Sequence, residues 1–144
     1  MSKALTIADA LAARLNGLSA LSGVETFVDR QKDVGVEVAK RVGKATGGCV
    51  TILFEGFTNS DPRQSGLPSV TRRYTATVYS RPVLLTAGEL PADDIVEGIA
   101  TALHDWDPDE TLAGILQIHV TGGDFRPDFK YLIYDVTIEV KCRL

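Results

Sequence analysis

The sequence is 144 residues long, a single-domain length at which folding buries roughly 68–70% of the surface the unfolded chain exposes, so no disulfide or metal staple is needed. Its 44% hydrophobic and 24% charged residues are those of an ordinary globular protein, and no apolar run approaches the ~18 residues that span a bilayer. Fifteen basic residues against nineteen acidic ones leave a formal net charge of −4, which excludes a global attraction to nucleic acid or anionic lipid.

The first residues lead into an amphipathic pattern broken by Asp9, Arg14 and Asn16, so the apolar core of a signal peptide is missing and the chain is expected to be made in a cytoplasm. Ile7, Leu11, Leu15 and Leu18 share one helical face, with Thr6 and Asp9 resembling a capping box, and the helix is expected to end near Asn16-Gly17. Val24 to Val28 alternates and is β-branched, which predicts a short edge strand. Val34, Val38 and Val42 keep helical spacing, while Val34, Val36 and Val38 also alternate as a strand would. Lys40, Arg41 and Lys44 followed by Gly47-Gly48 favour the helix.

From Cys49 to Phe57 both faces are apolar, which predicts a strand covered on both sides and placed centrally in a sheet. Thr58 to Ser69 is rich in polar residues, Pro and Gly and lacks periodicity, as expected of the tip of a long hairpin. Thr71 to Arg81 alternates, with Tyr74, Ala76 and Val78 inward and Arg73, Thr75, Thr77 and Tyr79 on a wetter face. Pro91 suits the first turn of a helix whose stripe runs Ile95, Ile99, Ala102, Leu103 and Trp106, with Asp107-Pro108 as its stop. The stripe makes Trp106 a core anchor. Ile115 to Thr121 and Tyr131 to Cys142 are two further strands, joined through a turn at Gly122 to Asp128. The order predicts one α+β domain over residues 1–144: a mostly antiparallel sheet of four to five strands, helices packed on one face, and a long hairpin.

Chemical motifs are few. Gly43-Lys44 lacks the leading Gly and the Ser/Thr of a phosphate loop. Asp105, Asp107 and Asp109 have the opening spacing of a calcium loop, but Glu110 and Leu116 stand where Gly and a bidentate Glu are required. Gly122-Gly123-Asp124-Phe125 looks like part of the signature of cyclic di-guanylate-forming cyclases, with Arg126 in place of the further acidic residue, and is better explained as a turn. His104 and His119 have no nucleophile nearby in sequence and are read as structural. Cys49 and Cys142, far apart in apolar runs, are read as buried free thiols. No cofactor, metal site or catalytic residue is expected, and a small enzyme built on His104, Asp105 and Asp124 is the least favoured reading.

The run Ala102-Leu103-His104-Asp105-Trp106-Asp107-Pro108 closes an amphipathic helix that follows a strand ending Val78-Tyr79-Ser80-Arg81-Pro82. With the terminal strand from Tyr131 to Val140 and the opening helix of the Ile7-Ala8-Asp9-Ala10-Leu11 type, it resembles tail terminator proteins of long-tailed bacteriophages. Small tail-completion and neck proteins are similar and form the alternative. The resemblance implies a virion structural protein, not an enzyme. Such a subunit forms a ring, usually a homohexamer, on the head-proximal end of the tail tube, where it stops tube polymerisation and offers a joining surface to the head. Implied partners are further copies of the chain, the tail tube protein and a head-completion or connector protein, with DNA passing through the ring and no membrane involved. Closing such a ring needs heterologous contacts, which an exposed strand or hairpin can supply by completing a neighbour's sheet. The expected interface residues are Phe57, Arg63, Leu67, Arg72 and Arg73 around the long hairpin, and Asp124, Phe125 and Arg126 in the last turn. The Thr58 to Ser69 segment is expected to order against a neighbour or the tube.

Overall fold

A computed structural model describes residues 3–30, 34–42, 48–59, 69–80, 91–108, 115–127 and 131–143. Helix α1 (Lys3–Asn16) leads through a 3₁₀ turn (Ser19–Leu21) to strand β1 (Glu25–Val28), helix α2 (Val34–Val42), strands β2 (Gly48–Asn59) and β3 (Val70–Ser80), helix α3 (Ala92–Leu103), and strands β4 (Ile115–Pro127) and β5 (Leu132–Cys142). The sheet order is β1-β2-β3-β5-β4. Only β1 and β2 run parallel; the other three pairings are antiparallel. The protein is therefore α+β, as its pattern predicts.

Alternation along the strands sorts their side chains onto two faces. Val50 and Ile52 of β2, Tyr74, Ala76 and Val78 of β3, Val136, Ile138 and Val140 of β5, and Ile118 of β4 form one buried cluster with Ile7, Leu11 and Leu15 of α1 and Ile95, Ile99 and Leu103 of α3. The two longer helices thus share one face. Helix α2, expected on that same face, lies instead over the opposite one, where Val38 and Val42 cover Cys49 and meet Phe27, Tyr79 and Tyr131. Its place follows from topology, since parallel strands cannot be joined by a tight turn and the chain between β1 and β2 must cross the sheet. Arg41 holds this cap down, its guanidinium 4.2 Å from the Phe27 ring centroid and ion-paired to Glu25 at 3.1 Å and to Glu37.

Several expectations are corrected. Helix α1 begins at Lys3, so Thr6 and Asp9 lie inside it and do not stand at its N-cap. Pro91 sits one place earlier than expected, at the N-cap, where its carbonyl accepts the Ile95 N–H at 3.1 Å. Helix α3 stops at Leu103 instead of at Asp107-Pro108, because His104 turns to an extended backbone (φ −66°, ψ 122°) and Asp105 after it is left-handed (φ 58°). Trp106 therefore lies beyond the helix, half-buried against the core, with the Arg14 guanidinium 5.2 Å from its ring centroid. We expect Trp106→Ala to cost about 1–2 kcal/mol, below the 3–5 kcal/mol of a fully buried Trp, because only part of the ring leaves water. Denaturant midpoints of the variant check this, and a loss above 3 kcal/mol contradicts it.

Thr58 and Asn59 belong to β2, not to the loop, and the hairpin ladder runs to Asn59 opposite Val70. The largest departure is at Gly122 to Pro127, which is not a turn. Strand β4 continues through it, paired rung by rung with β5 as far as Pro127 opposite Leu132, with one irregularity between Val120 and Gly122. Paired glycines next to a break in register mark a bulge within a strand, and the ladder offered by β5 overrides local turn chemistry.

Both cysteines are free and buried. Burial pushes the Cys49 thiol up to about 12 and raises the Tyr74 and Tyr79 phenols in the same way. The folded state thus favours the neutral forms, whereas the unfolded chain ionises a thiol near its ordinary value of 9.0. Stability is accordingly expected to stay level up to about pH 9 and to fall as pH rises from there towards 12. Urea midpoints measured from pH 7 to 11 test this; a midpoint unchanged at pH 11 would contradict it.

Candidate assembly surface

The outermost backbone of a sheet carries N–H and C=O groups that need partners or water. On β1 the Asn16 side chain supplies them. Its Nδ2 donates to the Thr26 carbonyl and its Oδ1 accepts from the Thr26 N–H, both at 2.8 Å. The amide at the end of α1 thus stands where another strand would be.

At the other side of the sheet, the first half of β4 is covered by the end of α3. The Asp105 N–H donates to the Ile118 carbonyl at 2.8 Å, and the Val120 N–H donates to His104 Nδ1 at 3.1 Å. That second bond requires His104 Nδ1 to be unprotonated. The His104 and His119 rings lie 5.3 Å apart at a 31° tilt, and both Nε2 atoms face the Asp105 carboxylate, at 3.7 and 3.5 Å. This cluster joins residues fifteen apart in sequence, and two of its three members, His104 and Asp105, are committed to closing the strand edge. Asp124, the third residue of the enzyme reading, is not part of it. It lies five residues further along β4 than His119, about 16 Å away at strand rise. Among the described residues no group of three or more His, Cys, Asp or Glu is arranged to hold a metal.

The remaining expected interface residues fall at two separate corners. At the far end of the β2–β3 hairpin, Phe57 stands opposite Arg72 and Gly56 opposite Arg73, next to a bulge at Glu55. Phe57 is 56% exposed. Arg72 turns back along the sheet and donates to Cys142 Sγ at 2.7 Å, so its charge is partly withdrawn from the rim it was expected to serve. Arg73 extends over Gly56, where a Cβ would lie 3.7 Å from Arg73 Nη2. Gly56 has φ 138°, a conformation that side-chain-bearing residues rarely adopt. Thr75 Oγ1 donates to Glu55 at 2.9 Å.

The second corner is at the end of β4. Phe125 is 50% exposed, its ring 5.2 Å from that of Tyr134. Arg126 pairs with Asp135 at 3.0 Å, and Asp135 also accepts from Thr77 Oγ1 at 2.9 Å. The Tyr134 hydroxyl donates to Asp93 at 2.9 Å, and that bond to a carboxylate raises the phenol's pKa. Asp124 faces the same side as Asp135, its cross-strand partner. Arg63 and Leu67 lie outside the described residues.

The structure thus brings Phe57, Arg72 and Arg73 together, brings Asp124, Phe125 and Arg126 together, and keeps the two sets towards opposite edges of the sheet. Sequence reasoning missed Asn16 and the His104–Asp105 pair as edge caps. Only the position of each, at the last turn of a helix, hinted at a capping role. No protein-family model matches this sequence, and no curated protein is similar to it at a significant level.

Proposed function

We propose that the chain is a virion assembly protein of the tail terminator kind, a subunit that closes with its own copies into a ring on the end of a phage tail tube. The observation that carries the reading is the placement of two unlike exposed aromatic corners, around Phe57 and around Phe125, towards opposite edges of one sheet. A two-fold dimer uses a single patch twice, whereas a closed ring needs two different patches that meet. The His104–Asp105–His119 cluster supports the same reading, because His104 and Asp105 serve the strand edge by their bonds to Val120 and Ile118.

The test uses tail tube subunits from the same genome, polymerised in the presence of the purified chain. The expected result is short tubes carrying the chain at one end only, seen by immunogold labelling, with elongation arrested. Tubes of unchanged length and without end label overturn the proposal. Binding to a head connector with no effect on the tube assigns the chain to the neck adaptors instead.

A further inference from the structure

Two stretches of strand edge stay open among the described residues. Strand β1 covers β2 only from Cys49 to Ile52, and the Asp29 N–H closes one further bond to the Ile52 carbonyl. From Leu53 to Asn59 nothing described flanks β2 on that side. On β4 the end of α3 covers Ile118 to Val120, and from Gly122 to Pro127 nothing described flanks the strand.

Ladder alternation says which groups point outward. Because Ile118 and Val120 direct their backbone groups away from β5, His119 faces Glu139. The same parity on β5 turns Thr137 and Asp135 towards Gly122 and Asp124, which leaves the N–H and C=O of Gly123 and Phe125 outward. On β2, Ile52 faces β1, so Leu53 faces Thr75. Past the bulge Gly56 and Thr58 face Arg73 and Thr71, leaving the N–H and C=O of Phe57 outward. The two exposed phenylalanines are therefore edge residues of matching polarity. Through the rows Phe57–Arg72–Val140–Ile118 and Phe125–Tyr134–Val78–Val50, both rings stand on the α1/α3 face.

We infer that copies of this chain join head to tail by antiparallel pairing of the β2 edge from Leu53 to Asn59 of one copy with the β4 edge from Gly122 to Pro127 of the next, with Phe57 opposite Phe125. The inference names the contact by which the proposed ring closes, and takes its biological setting from that reading. Strand β4 runs opposite to β2 within the sheet, so a rotated copy presents the two edges antiparallel. Phe57 and Phe125 then exchange both backbone hydrogen bonds and stack as a cross-strand aromatic pair. In this register Arg126 of the neighbouring copy falls in the row of Gly56 and Arg73, and the two like charges are offset by the carboxylates beside them, Glu55 next to Gly56 and the neighbour's Asp124 on the diagonal from Arg73.

The two rows are six residues apart on β5, from Val140 to Tyr134, which is about 20 Å of strand against about 19 Å for the four strand spacings of one repeat, β2, β3, β5 and β4. Joining the edges at that offset tilts the strands by about 46°, at the upper limit of the 35–45° at which closed sheets settle.

The experiment mixes full-length Phe57→Cys with full-length Phe125→Cys under mild oxidation. Directly opposed residues of a hydrogen-bonded pair have Cα atoms about 5.5 Å apart, within disulfide reach, and the native cysteines are buried. The expected product is a cross-linked species at twice the chain mass in the mixture, absent from either variant alone. The double variant Phe57→Cys/Phe125→Cys is expected to give a ladder of higher multiples. Circular dichroism matching the wild type establishes that each variant is folded. As a second probe, Phe125→Pro removes the outward N–H together with the ring while breaking no hydrogen bond to β5, and it is expected to abolish any association seen in wild-type sedimentation velocity. Folded variants that give no mixed product overturn the inference, as does a Phe125→Cys homodimer, which would mark a two-fold β4–β4 contact. A ladder without tube capping refutes the tail reading alone; tube capping without a ladder refutes this contact alone.

Discussion

Replacing Tyr74 by alanine is expected to lower the unfolding free energy by about 3–5 kcal/mol, the range for large aromatic truncations in a core. Among the described residues Tyr74 is the largest fully buried side chain, with no exposed surface. It sits on β3, the middle strand, its ring 5.3 Å from that of Phe54. Its hydroxyl donates to the Ala4 carbonyl at 2.8 Å, tying the first turn of α1 to the sheet. Tyr74→Phe keeps the ring and loses only the hydroxyl, which leaves the Ala4 carbonyl short of a partner and costs about 1–2 kcal/mol. Denaturant titration of both variants separates the two contributions. Equal losses for Ala and Phe would show that the hydroxyl, and not the packing, carries the effect.

The second large effect is expected at Asn16. Alanine there removes two 2.8 Å bonds at once and strands both backbone groups of Thr26 at a partly buried edge, which costs about 2–3 kcal/mol. Asp cannot substitute, because a carboxylate accepts from the Thr26 N–H but has no donor for its carbonyl. Hydrogen exchange at the Thr26 amide is the direct readout. It should quicken in both variants, and an unchanged rate would mean that the clamp does not hold β1 in place.

Much of the fold was legible because periodicity reports burial. The Ile7–Leu11–Leu15 face, the Val34–Val38–Val42 spacing and the strict alternation from Leu132 to Cys142 each answer to one nearby apolar partner, and all three elements form where the pattern puts them. The two apolar faces of β2 correctly pointed to cover on both sides, although that cover comes from α1 on one face and α2 on the other. What periodicity could not carry was decided at a distance. Gly122-Gly123-Asp124 is turn-like taken alone, and only its ladder with β5 makes it strand. Trp106 continues the helical stripe on paper, but the extended backbone of His104 and the left-handed Asp105 end the helix before it. The candidate interface residues were divided in the same way, since the sheet places Phe57 and Phe125 at corners whose separation no local pattern encodes.

The register of the sheet also bears on how the chain reaches its fold. Two hairpins, β2–β3 and β4–β5, zip between segments that are neighbours in sequence, whereas the seam between them pairs Val70 with Cys142 and Ser80 with Leu132. The hairpins close short loops, and the seam must close one of about seventy residues at its far end before any of its bonds reward the ordering. The seam is thus the kinetic bottleneck. Substitutions along it, at Ala76 or Val136, are expected to slow folding, while loss of the Asn16 clamp on the peripheral β1 should mainly speed unfolding. A chain held at that bottleneck would expose the seam edges of β3 and β5, so misassembly during synthesis would begin there.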